Sequence, residues 1–225
     1  VKEVLMAVKV PPGWYDISVP LKQGMPYFPT DPVPPRIYRM TDSNLGGPVT
    51  MSMLEIISHT GTHIDSPLHF IEGGTTISDM PLDATIGPCR VIEIQDPEKI
   101  SAAELEQHDI NKGDRILCKT ANSPRWYQAE KFIEDYVYLD DDAADYLAGR
   151  EIVLFGLDNI TIGSYRRPEN IGHDHTTLLG AGIYVLEGLA LEGVPAGEYE
   201  LLCLPLLMYH GDAGPSRALL RPLKK

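Results

Sequence analysis

The sequence is poor in cysteine, in cations and in long apolar runs, and each shortage argues against something. Its 225 residues hold three cysteines, Cys89, Cys118 and Cys203. They are odd in number, widely spaced and without CxxC pairing, which argues against a disulfide framework or a thiolate zinc site and fits a reducing compartment. Each reads as a small buried apolar residue, and a cytoplasmic enzyme is the expectation. Lys and Arg total 19 against 32 Asp and Glu, a net charge of −13. Such a surface repels phosphate backbones and anionic headgroups, so neither nucleic acid nor a membrane is expected as a partner. The longest apolar stretch, Leu201 to Met208, falls far short of the ~20 residues that span a bilayer. Val1 to Val10 contain no apolar h-region and no small-residue cleavage site, so no signal peptide is expected. A GxSxG elbow, a P-loop and a GxGxxG fingerprint are also missing.

What is present points to a globular fold of mixed α/β class. A chain of this length can bury about 70% of its unfolded surface, and one domain, residues 1–225, is expected. Of the 19 prolines, nine fall within the first 50 residues. Met25 to Pro35, MPYFPTDPVPP, cannot be a helix interior or a central strand. It reads as a stiffened loop between two short strands, within a proline-rich arm over residues 1–50. Its Tyr27 and Phe28 are candidate substrate-binding aromatics. Apolar β-type runs occupy 49–58, 89–95, 115–120, 151–158, 183–191 and 199–208. Ser101 followed by Glu104 is a capping-box start for a helix, and Asp140 to Asp142 with Gly149 bracket another. A short helix is expected after His175, through TTLLGAG.

The informative segment is SHTGTHIDSPLHF, Ser58 to Phe70. It gathers three of the seven histidines and an aspartate: His59, His63, Asp65 and His69. Imidazole and carboxylate together suit Zn²⁺, Mn²⁺ or Fe²⁺. On a helix Asp65 would leave the face shared by His59 and His63. On a straight strand those two histidines would lie ~13 Å apart. Gly61 between them permits a bend, and Pro67 fixes the exit path, so the segment reads as a strand running into a tight metal-wrapping loop.

The pattern HxGTHxDxPxH, here His59, Gly61, Thr62, His63, Asp65, Pro67 and His69, resembles the signature of the metal-dependent cyclase-like hydrolases. That family includes bacterial kynurenine formamidase, isatin hydrolase and some polyketide cyclases. YDISVPL at Tyr15 to Leu21, MPLDATIGPCRVIEI at Met80 to Ile94, FGLD at Phe155 to Asp158, the stretch Leu178 to Leu206 and DAGPSRALLR at Asp212 to Arg221 extend the likeness over most of the chain. The resemblance implies a single swivelling β/β/α domain with a mixed, barrel-like sheet and flanking helices. It implies two divalent metal ions, zinc first and manganese or iron as alternatives. The ligands would be His59, His63 and a bridging Asp65 at one site, and a histidine twelve residues before Glu187 at the other. That spacing selects His175, with His173 its competitor. His69 would be the general acid/base rather than a ligand. A homodimer or higher homo-oligomer acting on a small molecule is also implied.

The chemistry agrees. A cationic centre polarises a carbonyl and supplies a nucleophile from water, and a histidine moves the proton to the leaving group. The expected activity is hydrolysis of an amide, or of a cyclic amide or ester, in a small aromatic substrate. Alternatives are a polyketide-type cyclase or dehydratase using the same ions, and a metal-stabilised binding protein without catalysis. Where the formamidases carry Trp-Pro-Gly-Asp, this sequence has Phe28, Pro29, Thr30 and Asp31. The aromatic wall is kept and a glycine is lost. Arg166 and Arg167 are candidates to meet a substrate carboxylate.

Overall fold

The computed structural model describes residues 10–223. The first nine residues of the expected arm, and with them most of the stretch read for a signal peptide, lie outside the described residues. Among the described residues, twelve strands and four short helices follow one another. The strands are β1 (Tyr15–Asp16), β2 (Arg36–Thr41), β3 (Met51–Glu55), β4 (His63–Asp65), β5 (Ile86–Glu93), β6 (Lys99–Ile100), β7 (Arg115–Lys119), β8 (Tyr138–Leu139), β9 (Leu154–Leu157), β10 (Tyr184–Glu187), β11 (Gly197–Pro205) and β12 (Ala213–Pro222). The helices are α1 (Ala102–Leu105), α2 (Arg125–Gln128), α3 (Asp141–Gly149) and α4 (Pro168–Gly180).

Seven strands close into a ring in the order β12, β11, β5, β7, β9, β10, β4, and β4 returns to β12. The run from β5 through β7 and β9 to β10 is parallel, and the other pairings are antiparallel. Parallel neighbours need crossovers, and α3 and α4 supply two of them. Closure depends on β12, which shares one edge between two partners. Ala213 to Pro215 pair with β4, and Leu219 and Leu220 pair with β1.

Side-chain alternation divides the apolar residues between two cores. Ile64, Leu117, Leu154, Leu186, Leu201 and Ala218 fill the inside of the ring. Cys118, Phe155, Leu157 and Val185 project outward, where Ala143 and Leu147 of α3 and Leu178 and Leu179 of α4 cover them. All three cysteines are free and buried.

The elements differ from their expected bounds for identifiable reasons. The run 49–58 is a strand only over Met51–Glu55, paired with β2 in a hairpin apart from the ring, and His59 lies in the turn beyond it. The helix expected after His175 starts at Pro168, with Glu169 in its first turn, and has His175 in its interior. Proline at the first helical position is a start signal, which the polar, glycine-containing ENIGHDH obscured. At α1 the Glu104 N–H donates to Ser101 Oγ at 3.3 Å, but the Glu104 carboxylate takes the Gln95 N–H instead of closing the box.

Candidate metal centre

The alternation that fills the ring also builds the site. On β4 the Ile64 side chain enters the ring, so its neighbours His63 and Asp65 share the opposite face. On β10 Leu186 enters the ring, so Val185 and Glu187 face outward. Register sets His63 directly opposite Glu187 and Asp65 opposite Val185. His175 comes down on this group from α4. His59 arrives through the turn, which reverses at Gly61 with φ +71°.

Thr62 holds the turn in place. Its hydroxyl donates to the Gly188 carbonyl at 2.6 Å and accepts from the Val19 N–H at 2.9 Å. Its backbone carbonyl accepts from the Ser216 N–H at 2.8 Å. Glycine and threonine in the motif thus set the geometry, and the histidines and aspartate present the donor atoms.

Three histidines each have one ring nitrogen anchored and the other aimed at the carboxylates. His63 Nδ1–H donates to the Gly61 carbonyl at 2.9 Å, and Nε2 lies 3.3 Å from Asp65 Oδ1 and 3.2 Å from Glu187 Oε2. His175 Nδ1–H donates to the Ile171 carbonyl at 2.8 Å, and Nε2 lies 3.3 Å from Glu187 Oε1 and 3.8 Å from Asp65 Oδ2. His59 Nε2–H donates to Asp212 Oδ2 at 2.9 Å, and Nδ1 lies 2.9 Å from Asp65 Oδ1. Such outer partners fix the tautomer and present a lone pair inward, as metal-ligating histidines require.

The inward atoms are the ones left over. His63 Nε2 and both Asp65 oxygens are fully buried and take no hydrogen bond, despite their close approaches. An unsatisfied buried polar atom costs about 1–3 kcal/mol, and more where it is charged. A divalent cation among these nitrogen and oxygen donors removes that cost, so the donor set fits the expected ions.

Electrostatics follow the same arrangement. Burial works against charging His59, but the charge and close approach of Asp65 and the hydrogen bond to Asp212 raise it to about 9. His63 is likewise raised against burial by Asp65 and Glu187. Burial alone would raise Asp65, yet His59 and His63 keep it well below the usual carboxylate range. His69 goes the other way. Burial, helped by the charges of His59 and His175 and opposed by Asp65 and Glu187, lowers it to about 4.

His69 stands apart in bonding too. Its ring lies 4.0 Å from that of His59 and 5.8 Å from that of His175, and its Nδ1 is 3.7 Å from Asp212 Oδ2, beyond hydrogen-bond reach. No hydrogen bond among the described residues anchors its side chain. His59, Asp65 and His69 also offer ligand atoms within 4.8 Å of one another, so proximity to an ion does not by itself separate its roles.

A cavity of about 290 Å³ opens on this group, lined by Phe28, Thr30, Asp31, His59, His69, Phe70, Ile160, Thr161, Ile171, His175 and Glu187. Phe28 is held by edge-on contacts with Phe132 and Tyr165 at 5.5 and 5.7 Å. Tyr27, expected beside it, does not line the cavity and is 36% exposed. His173 turns away from the centre and bonds Asp145 at 3.1 Å. Arg166 and Arg167 do not reach the cavity either. Arg167 binds Asp140 and Asp141 at the start of α3, and Arg166 lies 3.5 Å from Asp135.

Asp212 was missed. It orients His59 from 153 positions away and also accepts from the Ser58 hydroxyl at 3.0 Å. An isolated aspartate after His210 and Gly211 has no local signal, and only ring closure brings it beside the motif.

Residues 15–164 match the cyclase family, described as "Putative cyclase". Among curated relatives, kynurenine formamidase of Geobacillus thermodenitrificans is 36% identical over 211 residues, 93% of this chain and 98% of that protein. A solved structure described as a "Potential Metal-Dependent Hydrolase With Cyclase Activity" is 34% identical, covers 94% of this chain and 98% of its own, and superposes with a TM-score of 0.80. Isatin hydrolase A from Ralstonia solanacearum, 23% identical over 93% of this chain and 92% of its own, has a TM-score of 0.79 and shares the fold.

Proposed function

The chain belongs to the cyclase family of metal-dependent hydrolases, and from that premise we propose that it is a bimetallic hydrolase of a small aromatic amide, or cyclic amide or ester. The observation that carries this reading is the convergence of three anchored histidines on two buried carboxylates, of which Asp65 has both oxygens unsatisfied and Glu187 accepts one bond, from the Ile162 N–H at 2.6 Å. His59, His63 and Asp65 would hold one ion, and Asp65, His175 and Glu187 the other. Zinc leads on donor type, with manganese and iron as alternatives. Bound divalent ions supply Lewis acidity and lower the pKa of water from ~16 towards ~7.

The protein's own groups do the rest. His69 is the proton carrier, because a general base must release and recapture protons at a ring nitrogen that no partner holds. Its lowered pKa keeps a lone pair available at neutral pH. Asp212 positions His59 and lies near enough to His69 to steady its protonated form. Phe28, Phe70, Ile160 and Ile171 form the apolar walls against which an aromatic ring packs.

Among the described residues no Lys or Arg lines the cavity, and Asp31 brings a carboxylate to it. This favours a neutral arylformamide or isatin-like ring over a substrate held by its own carboxylate. The relatives named kynurenine formamidase set the reaction class, and the Phe28 loop with Thr30 in place of glycine sets this pocket apart. The hairpin of β2 and β3 leaves Tyr38, Met40, Met51 and Leu54 about half exposed, which supports a homodimer. The reducing compartment inferred from three free cysteines supports the cytoplasm, and among the described residues no helix is long and apolar enough to cross a membrane.

The test is turnover of N-formyl arylamines and isatins in ¹⁸O-labelled water. Hydrolysis places one label in the carboxylate or formate product. An unlabelled, rearranged or dehydrated product would instead establish the cyclase reading.

A further inference from the structure

Helix α4 carries two histidines that cannot serve the same site. His173 and His175 lie about 200° apart around the axis, so when His175 enters the centre His173 faces away, towards α3. There it meets Asp141 and Asp145, four residues apart on one face of α3, and its own neighbour Asp174.

Asp174 is the unexplained residue of this seam. It is fully buried, and neither carboxylate oxygen has a hydrogen-bond partner. The cation at hand is already engaged, since Arg167 binds Asp140 and Asp141. Asn170 donates to the Asp141 carboxylate at 2.5 Å. A buried carboxylate whose oxygens accept no hydrogen bond, and which burial pushes up to about 8 against the charge of His175, gains from a cation that supplies the missing contact. One ligand atom each from Asp141, His173 and Asp174 lie within 4.8 Å of one another, close to the span a single ion bridges. The His173 ring is braced by Asp145 at 3.1 Å, much as Asp212 braces His59.

We propose that Asp141, His173 and Asp174 form a divalent-cation site between α3 and α4, separate from the centre at β4 and β10. Two carboxylates and an imidazole suit Zn²⁺ or Mn²⁺. An ion there clamps α3 to the helix that carries His175 and neutralises Asp174.

The test uses Mn²⁺ as probe, counted per chain by equilibrium dialysis of the full-length protein, its Asp174→Asn variant and its His173→Ala variant. Each variant is expected to bind one ion fewer than the parent, with unchanged turnover when metal is in excess, and to show a smaller Mn²⁺-induced rise in melting temperature. The difference of one ion does not depend on how many ions the β4–β10 centre holds, so it stands or falls separately from the hydrolase reading. Should Asp174→Asn fail to fold, the half-exposed His173→Ala gives the same count. Equal ion counts in the parent and the variants would overturn the proposal.

Discussion

Gly188, the residue after Glu187, offers a quantitative test of how the metal centre is held. It has φ +69°, and a Cβ built there would sit 2.2 Å from the Gly61 carbonyl oxygen, 2.7 Å from the Gly61 carbonyl carbon and 3.0 Å from the Thr62 nitrogen. All three are backbone atoms, so no side chain can swing away. In Gly188→Ala the left-handed backbone costs roughly 1–2 kcal/mol. Forcing the two loops apart costs about 1–3 kcal/mol more. The sum is about 2–5 kcal/mol, below most of the 5–15 kcal/mol that holds a typical domain folded, so the variant is expected to fold with reduced stability. Gly61 lies between His59 and His63 and accepts the bond that fixes the His63 tautomer, so the same shift moves ligands. A displacement near 1 Å lowers turnover on the order of 10²-fold. Gly193→Ala is the control: it has φ +78° with nothing within 4 Å of the added carbon, so it carries only the backbone cost. Guanidinium unfolding and kcat on the three proteins read both effects. Equal stability and equal kcat in the two variants would refute the close-approach argument.

Removing the His69 ring should separate proton transfer from metal binding: His69→Ala loses about 10²–10⁴ in kcat while metal content stays at the parent value, whereas a fall in metal content would make His69 a ligand. The metal-free chain should also respond to pH in a defined direction. His59 is raised from 6.5 to about 9 on folding, so its contribution is fully present below 6.5 and lost as pH rises through about 9. The metal-free protein therefore loses on the order of 3 kcal/mol from this group across that window, and urea unfolding at several pH values checks it. Metal binding near pH 7 should release protons from His59 and His63, which calorimetry in buffers of different protonation enthalpy detects as a buffer-dependent heat. A heat independent of buffer would mean that the two histidines are already neutral.

The parts of the site that were legible in the sequence are the local ones. His59, His63, Asp65 and His69 declare themselves through spacing around a glycine and a proline, because one turn of chain brings them together. Glu187 enters through the spacing that the family resemblance implies, twelve residues after His175. His175 was placed by family spacing, and helix phase gives the physical reason that His173 is elsewhere. Asp212 was not legible, since its place depends on β12 returning to β4, and Gly214 and Pro215 disguise that strand. The start of α4 was hidden for a related reason: its first turns contact α3 through polar groups, so no apolar periodicity marks them. Alternation within short strands predicted burial, but ring order depends on long-range pairing that no local pattern encodes.

In the proposed reaction, amide hydrolysis requires a metal bound by the β4, β10 and α4 side chains. The direct measurement is hydrolysis of an arylformamide by chelator-stripped protein, followed by stepwise return of Zn²⁺ or Mn²⁺ with metal content determined at each step. The stripped protein should be inactive, and its rate should return as the centre fills with up to two ions per chain. A stripped protein that keeps its full rate would show that hydrolysis needs no metal.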